Sequence, residues 1–207
     1  ETDDPTGFGM HRKNKRPVGT TNPGTDLNRN YSYGWGTTGI SFDENSDVYP
    51  GGANDGTDYS FSEPETQAIK WLNENINFTS AFNAHSHGNL LLHPVGTTNA
   101  EFADHHDYFT DLSGHMCSLN GYAPQKSSGL YPASGDSDDY MYKEGIGVGV
   151  KDTVFAMTPE VGSAFWPAQS EVVPACQSMV VPNLVLSHMT HKYMLVTDTD
   201  PSSLATL

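Results

Sequence analysis

Positive charge is scarce in this sequence: ten Lys and Arg stand against 25 Asp and Glu, a formal net charge of −15 over 207 residues. Such a balance repels phosphate backbones and anionic lipid surfaces, which argues against nucleic-acid and membrane partners. No apolar run approaches the roughly 20 residues needed to span a bilayer. Cysteine is nearly missing, with only Cys117 and Cys176. Two thiols make neither a disulfide framework nor a thiolate metal cluster, although they allow one bridge. The opening Glu1-Thr2-Asp3-Asp4 has neither a start methionine nor the features of a leader, so the start reads as processed or cut. Few lysines and abundant Asn, Ser, Thr and Gly lean towards an exported protein.

What is present is a 36% hydrophobic chain with nine Phe, ten Tyr, three Trp, 20 Gly and 13 Pro. That composition supports one sizeable core linked by many turns. Half of the cations, Arg12, Lys13, Lys15, Arg16 and Arg29, precede residue 30. Residues 1–60 hold most of the turn signals, including Asn22-Pro23-Gly24, Gly51-Gly52 and Asn54-Asp55-Gly56, and no sustained period. Ser62-Glu63-Pro64-Glu65 has the spacing of a capping box with proline in the first turn, and predicts a helix through Asn75 with Ile69, Leu72 and Ile76 on one side.

Alternation predicts a strand from Phe78 to Ser86 with His85 near its end. Spacings of three and four among Phe102, His106, Phe109, Leu112 and Met116 predict a helix within 101–119. Val154-Phe155-Ala156-Met157 reads as a buried strand running into Thr158-Pro159-Glu160. A last helix is expected from about Pro174 to Val196, interrupted near Pro182. Strands alternating with helices predict an α/β fold, a mixed twisted sheet flanked by helices.

Three segments carry reactive groups. Asp26-Leu27-Asn28-Arg29-Asn30 combines amides with a planar guanidinium fork suited to a carboxylate. Its plain alternative is an Asx-rich turn with a surface arginine. In Ala84-His85-Ser86-His87-Gly88 the strand period puts two imidazoles on one face, as metal ligands or as satisfied core histidines. Glu160 directly follows a buried strand, where a raised-pKa general base or a salt-bridged structural acid would sit.

Read in order, His11-Arg12-Lys13-Asn14, Asp26-Leu27-Asn28-Arg29-Asn30, Ser62-Glu63-Pro64-Glu65, His85-Ser86-His87-Gly88, the stretch Leu130 to Tyr140 and Glu160 resemble the zinc carboxypeptidases of the pancreatic A/B type. The resemblance implies that His85 is a zinc ligand and that Arg12 polarises the scissile carbonyl. It makes Asn28 and Arg29 the cradle for the substrate's terminal carboxylate and Tyr131 the residue that closes over it. It makes Glu160 the base that deprotonates zinc-bound water. Asp138 falls where members that cleave basic residues carry an acid, with Lys126 near enough in sequence to neutralise it. The expected partners are peptide or protein C-termini.

The family's other two ligands come from an upstream H-x-x-E, and this sequence contains no H-x-x-E. Residues 1–207 are therefore expected to form a single partial catalytic domain without its first strands, 1–60 being the substrate-binding loops and 61–207 the helices and strands. The upstream segment is a possible partner as a separate chain. Another departure is His87, where pancreatic members carry tyrosine. Rival readings are an inactive carboxylate-binding module and a zinc deacylase, the Tyr131 to Tyr140 stretch favouring the peptidase. Asp43, Glu44, Asp47, Asp55 and Asp58 form an acidic loop that is a candidate for Ca2+ or a solvated turn. His105-His106 and His188-Met189-Thr190-His191 read as surface pairs. Asn30-Tyr31-Ser32 and Asn77-Phe78-Thr79 match the glycosylation pattern.

Overall fold

The helix-start signal before residue 64 is realised as α1, Pro64–Asn75, in a computed structural model that describes residues 11–52, 60–144 and 151–193. The reciprocal capping box is not. Glu63 is the N-cap residue and makes no side-chain cap, because its carboxylate is used elsewhere. It is 1% exposed and accepts from Ser62 Oγ, Asn14 Nδ2 and Arg16 Nη1, each at 2.7 Å. The head of α1 is thereby tied to the loop that carries the basic cluster. Ile69 packs against a core of Tyr31, Phe61, Tyr140, Met141, Val154 and Ala156, whereas Ile76, expected on the same face, is exposed.

Four strands form the sheet: β1 Ser80–Phe82, β2 Leu90–His93, β3 Ala123–Lys126 and β4 Phe155–Glu160, in the order β1-β4-β2-β3. β1 is parallel to β4, β2 is parallel to β3, and β2 runs antiparallel to β4. The sheet is mixed and flanked by helices, as the sequence predicts. β1 is shorter than its expected range for a reason seen in its partner. The ladder runs through Phe155 N–H to Thr79 O, Asn83 N–H to Met157 O, His85 N–H to Pro159 O and Val161 N–H to His85 O. The donor that this alternation would offer to the Asn83 carbonyl is residue 159, a proline without N–H. The strand therefore stops at Phe82, and pairing resumes as a single bridge between His85 and Glu160.

Helix α2, His106–Ser118, buries Phe109, Leu112 and Met116, the face that its periodicity predicts. Together with Leu91, Val95, Tyr142 and Met157 they form the larger core. Two short helices follow β3, α3 at Ser127–Leu130 and α4 at Ser137–Lys143. The C-terminal helical region is two helices, α5 Gln169–Ser178 and α6 Val180–Tyr193. It starts before the expected Pro174, and the break falls at Met179 rather than at Pro182. A proline ring crowds the carbonyl four residues back, here that of Ser178, while fitting the first turn of a new helix. The freed Ser178 carbonyl accepts from Asn120 Nδ2 at 3.2 Å. The expected end at Val196 lies outside the described residues.

Cys117 is buried, Cys176 is exposed and both are free thiols, so the bridge that two cysteines allow is not made. Among the described residues no helix is long and apolar enough to cross a membrane.

Candidate active site

Strand register places the first two groups. The bridge between His85 and Glu160 sets an imidazole and a carboxylate side by side at the carboxyl ends of β1 and β4. Glu160 is 7% exposed, and burial raises its pKa while the Arg12 cation opposes the rise. Burial and the cations of Arg12 and Arg29 lower the pKa of His85 despite the Asp26 carboxylate. The imidazole is thus held neutral, with a lone pair available, and the carboxyl is made a better proton acceptor.

A 3-10 turn, Leu27–Arg29, supplies the opposite wall. Its N-cap Asp26 accepts from the Asn28 N–H at 3.0 Å and pairs through Oδ2 with Arg12 Nη2 at 3.1 Å. Asn28 Oδ1 accepts from the Ser137 N–H at 3.0 Å, which locks the turn to α4 and leaves the amide NH2 for the cleft. Arg29 is 3% exposed. Its Nε donates to Gly39 O at 3.2 Å and its Nη1 to Asn28 O at 2.7 Å. The far edge of the fork is left to face a ligand. Gly135 permits this approach: its φ is +72°, and a Cβ there would lie 2.3 Å from the Arg29 carbonyl oxygen.

α4 supplies the floor. Asp136 caps it, Oδ1 accepting from the Asp139 N–H at 2.9 Å. Asp138 is 3% exposed and accepts from Asn83 Nδ2 at 2.6 Å and Thr158 Oγ1 at 2.8 Å. Burial pushes its pKa up to about 7. Lys126 does not neutralise it, since its Nζ donates to the carbonyls of Thr98, Asn99 and Glu101. Tyr131 is 50% exposed at the mouth, its ring centroid 6.0 Å from Arg29 Cζ.

All seven residues singled out from sequence, Arg12, Asn28, Arg29, His85, Tyr131, Asp138 and Glu160, line one open cleft of about 460 Å³, solvent mouth included. Sequence reading passed over Asp136, although an acid three residues before Asp139 is a helix-start signal. It also passed over Asn83 and Thr158, which have no motif and matter only through Asp138.

A mixed α/β sheet with a polar cleft at the carboxyl ends of its strands is a common enzyme architecture. Comparison with known proteins specifies it. A profile of the zinc carboxypeptidase family matches residues 5–181, and the chain belongs to that family. It is 29% identical to carboxypeptidase B of Bos taurus over 195 residues, which are 87% of this chain and 44% of that protein. It is 30% identical to mast cell carboxypeptidase A of Rattus norvegicus over 183 residues, 83% of this chain and 42% of that one. Among solved structures, the crystal structure of thrombin activatable fibrinolysis inhibitor superposes with a TM-score of 0.68 at 26% identity, over 81% of this chain and 42% of that chain. The chain thus spans less than half the length of these relatives.

The family implies zinc, and catalytic zinc takes about three protein ligands. Among the described residues no group of three His, Cys, Asp or Glu is placed to hold a metal, and the cleft wall offers His85 as its imidazole. The described residues therefore do not complete a zinc site. In the acidic loop, Asp43, Glu44 and Asp47 accept from Asn45, Gly19 and Asn22 respectively, and Asp55 and Asp58 lie outside the described residues.

The remaining candidates are placed as follows. His87 packs edge-on against Phe165 at 4.3 Å. Of the expected surface pair, His105 is exposed, with Nδ1 2.8 Å from Tyr142 Oη, and His106 is half-buried, its ring meeting Phe102 at 4.7 Å and His93 at 5.5 Å. His188 is exposed on α6. Asn30 is 0% exposed, which closes that glycosylation pattern to modification in the folded chain, whereas Asn77 is exposed.

Proposed function

We propose that this chain supplies the carboxylate-binding and proton-accepting wall of a secreted zinc carboxypeptidase, an enzyme that removes the C-terminal residue of peptides and proteins. One observation carries the reading: residues from five separate stretches, from Arg12 to Glu160, line a single cleft. A terminal carboxylate fits the open edge of the Arg29 fork beside the Asn28 amide, and an internal peptide bond offers no such anion. Arg12, oriented by Asp26, stands where it can stabilise charge on the scissile carbonyl oxygen. Glu160 takes a proton from the attacking water and passes it to the leaving nitrogen, a role suited to its raised pKa. Tyr131 covers the bound residue from the mouth. When present, zinc would polarise the carbonyl and acidify water. Towards that ion the described residues contribute His85 alone, so the remaining ligands come from elsewhere, an upstream segment of the same protein being the expected source.

The incomplete ligand set also favours a second reading, an inactive carboxylate-binding module. Two titrations separate them. Zinc added to the chain alone is expected to bind weakly, and tight stoichiometric binding abolished by His85→Ala would overturn the assignment of a lone ligand. NMR titration with Nα-acetyl-L-leucine and its amide tests the cradle. The acid should bind at least tenfold more tightly, and Arg29→Ala should remove the difference. Equal binding of acid and amide would refute both readings. Hydrolysis that appears when a segment bearing the missing ligands is supplied, and that Glu160→Gln abolishes, selects the enzyme over the module.

A further inference from the structure

We infer that Asn77 is a site of N-linked glycosylation, taking an oligosaccharide from a lipid-linked diphosphate donor at the end of the sheet opposite the cleft. The inference rests on the reading of the protein as secreted and concerns a surface that the cleft chemistry does not use.

Two stretches match the acceptor pattern, Asn30-Tyr31-Ser32 and Asn77-Phe78-Thr79, and the fold treats them oppositely. The sugar is joined through the asparagine Nδ2. That nitrogen gives up one proton as its bond to the anomeric carbon forms, while the bond from this carbon to the donor's diphosphate oxygen breaks and the diphosphate leaves with the electron pair. Asn30 has no N–H to spare. Its Nδ2 donates to Pro50 O at 2.8 Å and Ser62 Oγ at 2.9 Å, and its Oδ1 accepts from Thr66 Oγ1 at 2.6 Å and the Glu63 N–H at 3.3 Å. Nor is there room: a Cβ on Gly51 would already lie 2.7 Å from Asn30 Nδ2. A chain carrying a sugar on Asn30 could not close around that side chain.

Asn77 lies in the short link between α1, which ends at Asn75, and β1, which starts at Ser80. It is exposed, and among the described residues no hydrogen bond engages its amide or the Thr79 hydroxyl. The link itself is held by its backbone, with the Phe78 N–H donating to Ile76 O at 3.0 Å and Thr79 O accepting from the Phe155 N–H at 2.9 Å. A link outside helix and strand can bend so that the threonine hydroxyl meets the asparagine amide, as in an Asx turn. His85 stands at the other end of β1, and at about 3.3 Å per residue the extended chain separates it from Asn77 by up to roughly 25 Å. A glycan on Asn77 therefore leaves the cleft open. Trp71, Ile76 and Phe78, close to Asn77 in the chain, are exposed, and a bulky solubilising group there would shield apolar surface that the core does not cover.

The test directs the full chain through the secretory route of cultured insect cells behind a cleavable leader and treats the folded, secreted fraction with peptide N-glycosidase in oxygen-18 water. Peptide mass spectrometry should find labelled aspartate at position 77 and unmodified asparagine at position 30. The gel shift on deglycosylation should vanish in Asn77→Gln and in Thr79→Val, which keeps the shape of threonine without its hydroxyl, and persist in Thr79→Ser. Neither Asn77→Gln nor Thr79→Val should change the preference for Nα-acetyl-L-leucine over its amide. A second measurement serves if the leader-borne chain is not released: the folded chain incubated with purified oligosaccharyltransferase and its lipid-linked donor should be modified at Asn77 alone. An unmodified Asn77 in the secreted chain, or in the purified reaction, overturns the inference, as does a sugar on Asn30 of the folded chain. Because the leader supplies the route, these results do not depend on the protein's own destination. Protein from its native source retained inside the cell would refute the secreted reading while leaving the accessibility of Asn77 established.

Discussion

The buried carboxylate of Glu63 makes a strong demand on the fold, and replacing it with glutamine isolates that demand. Glu63 Oε1 accepts from Ser62 Oγ and Arg16 Nη1, and Oε2 from Asn14 Nδ2, all at 2.7 Å. Glutamine has the same shape but one oxygen and one NH2. Whichever way its amide is turned, the NH2 meets a donor. The mutation therefore removes a charge-assisted contact and leaves at least one donor facing another. A buried unpaired group costs about 1–3 kcal/mol. The Arg16 pair is half open, with the arginine side chain 38% exposed, so the charge adds only about 1 kcal/mol after screening. The sum is a loss of roughly 3 kcal/mol at neutral pH.

The size of that loss should depend on pH in a definite direction. Burial alone would raise the Glu63 pKa, but the hydrogen bonds from Ser62, Asn14 and Arg16 win and hold it below its ordinary value of 4.5. A depressed folded pKa stabilises above the unfolded value, and the contribution fades as pH falls through the folded one. Urea unfolding followed by near-ultraviolet circular dichroism should show a lowered midpoint for Glu63→Gln at pH 7, with an unchanged slope. The gap from wild type should narrow below pH 4.5. An unchanged midpoint at pH 7, or a gap of constant size down to pH 3, would refute the reasoning. Because the loop of residues 11–30 carries Arg12, Asn28 and Arg29, the same substitution should also weaken carboxylate binding without touching a cleft residue.

Two more outcomes follow from the cleft. Gly135→Ala combines a φ of +72° with a Cβ placed 2.3 Å from the Arg29 carbonyl oxygen; it should cost about 3 kcal/mol by urea unfolding and loosen Arg29, and a neutral effect would show that the close approach is not required. The Glu160 carboxyl, followed by carbon-13 NMR, should titrate above 4.5, and Arg12→Ala, by removing the opposing cation, should move the midpoint higher; a downward move would contradict the stated balance of burial against charge.

The parts of this protein legible in its sequence are those whose physics is local. α1 is announced by a proline and a cluster of capping residues, α2 by apolar spacing, and β4 by an apolar run ending in an acid. β2, Leu90–His93, and β3, Ala123–Lys126, were not legible, being four residues each, too short for a period to develop. Pro124 also makes β3 read as a turn, although as an edge strand it tolerates proline. The capping box failed because Ser62 and Glu63 satisfy partners up to 49 residues away, which spacing cannot reveal. The cleft residues were found because their types and order match a family. The difference between Asp136 and Asp138 could not be found that way, since it lies in which oxygens already have donors.

Three devices place the cleft, and two of them are joined. Register across β1 and β4 places His85 beside Glu160, and here Pro159 has an effect beyond shortening β1. By withholding a donor from the Asn83 carbonyl it interrupts the ladder on one side of that residue, whose N–H still donates to Met157 O. The Asn83 side chain then reaches Asp138 while His85 returns to the bridge. The 3-10 turn and its anchors, Asn30, Glu63 and Gly135, place Arg29. The cap of α4 places Asp136. Asn28 joins the second device to the third, since its Oδ1 holds the Ser137 N–H, the first amide of the helix that Asp136 caps. The turn that carries Arg29 and the acidic floor on α4 are therefore mechanically linked, whereas the pair at the strand ends is set by the sheet. A change in α4 should disturb how tightly the carboxylate is held before it disturbs the proton acceptor.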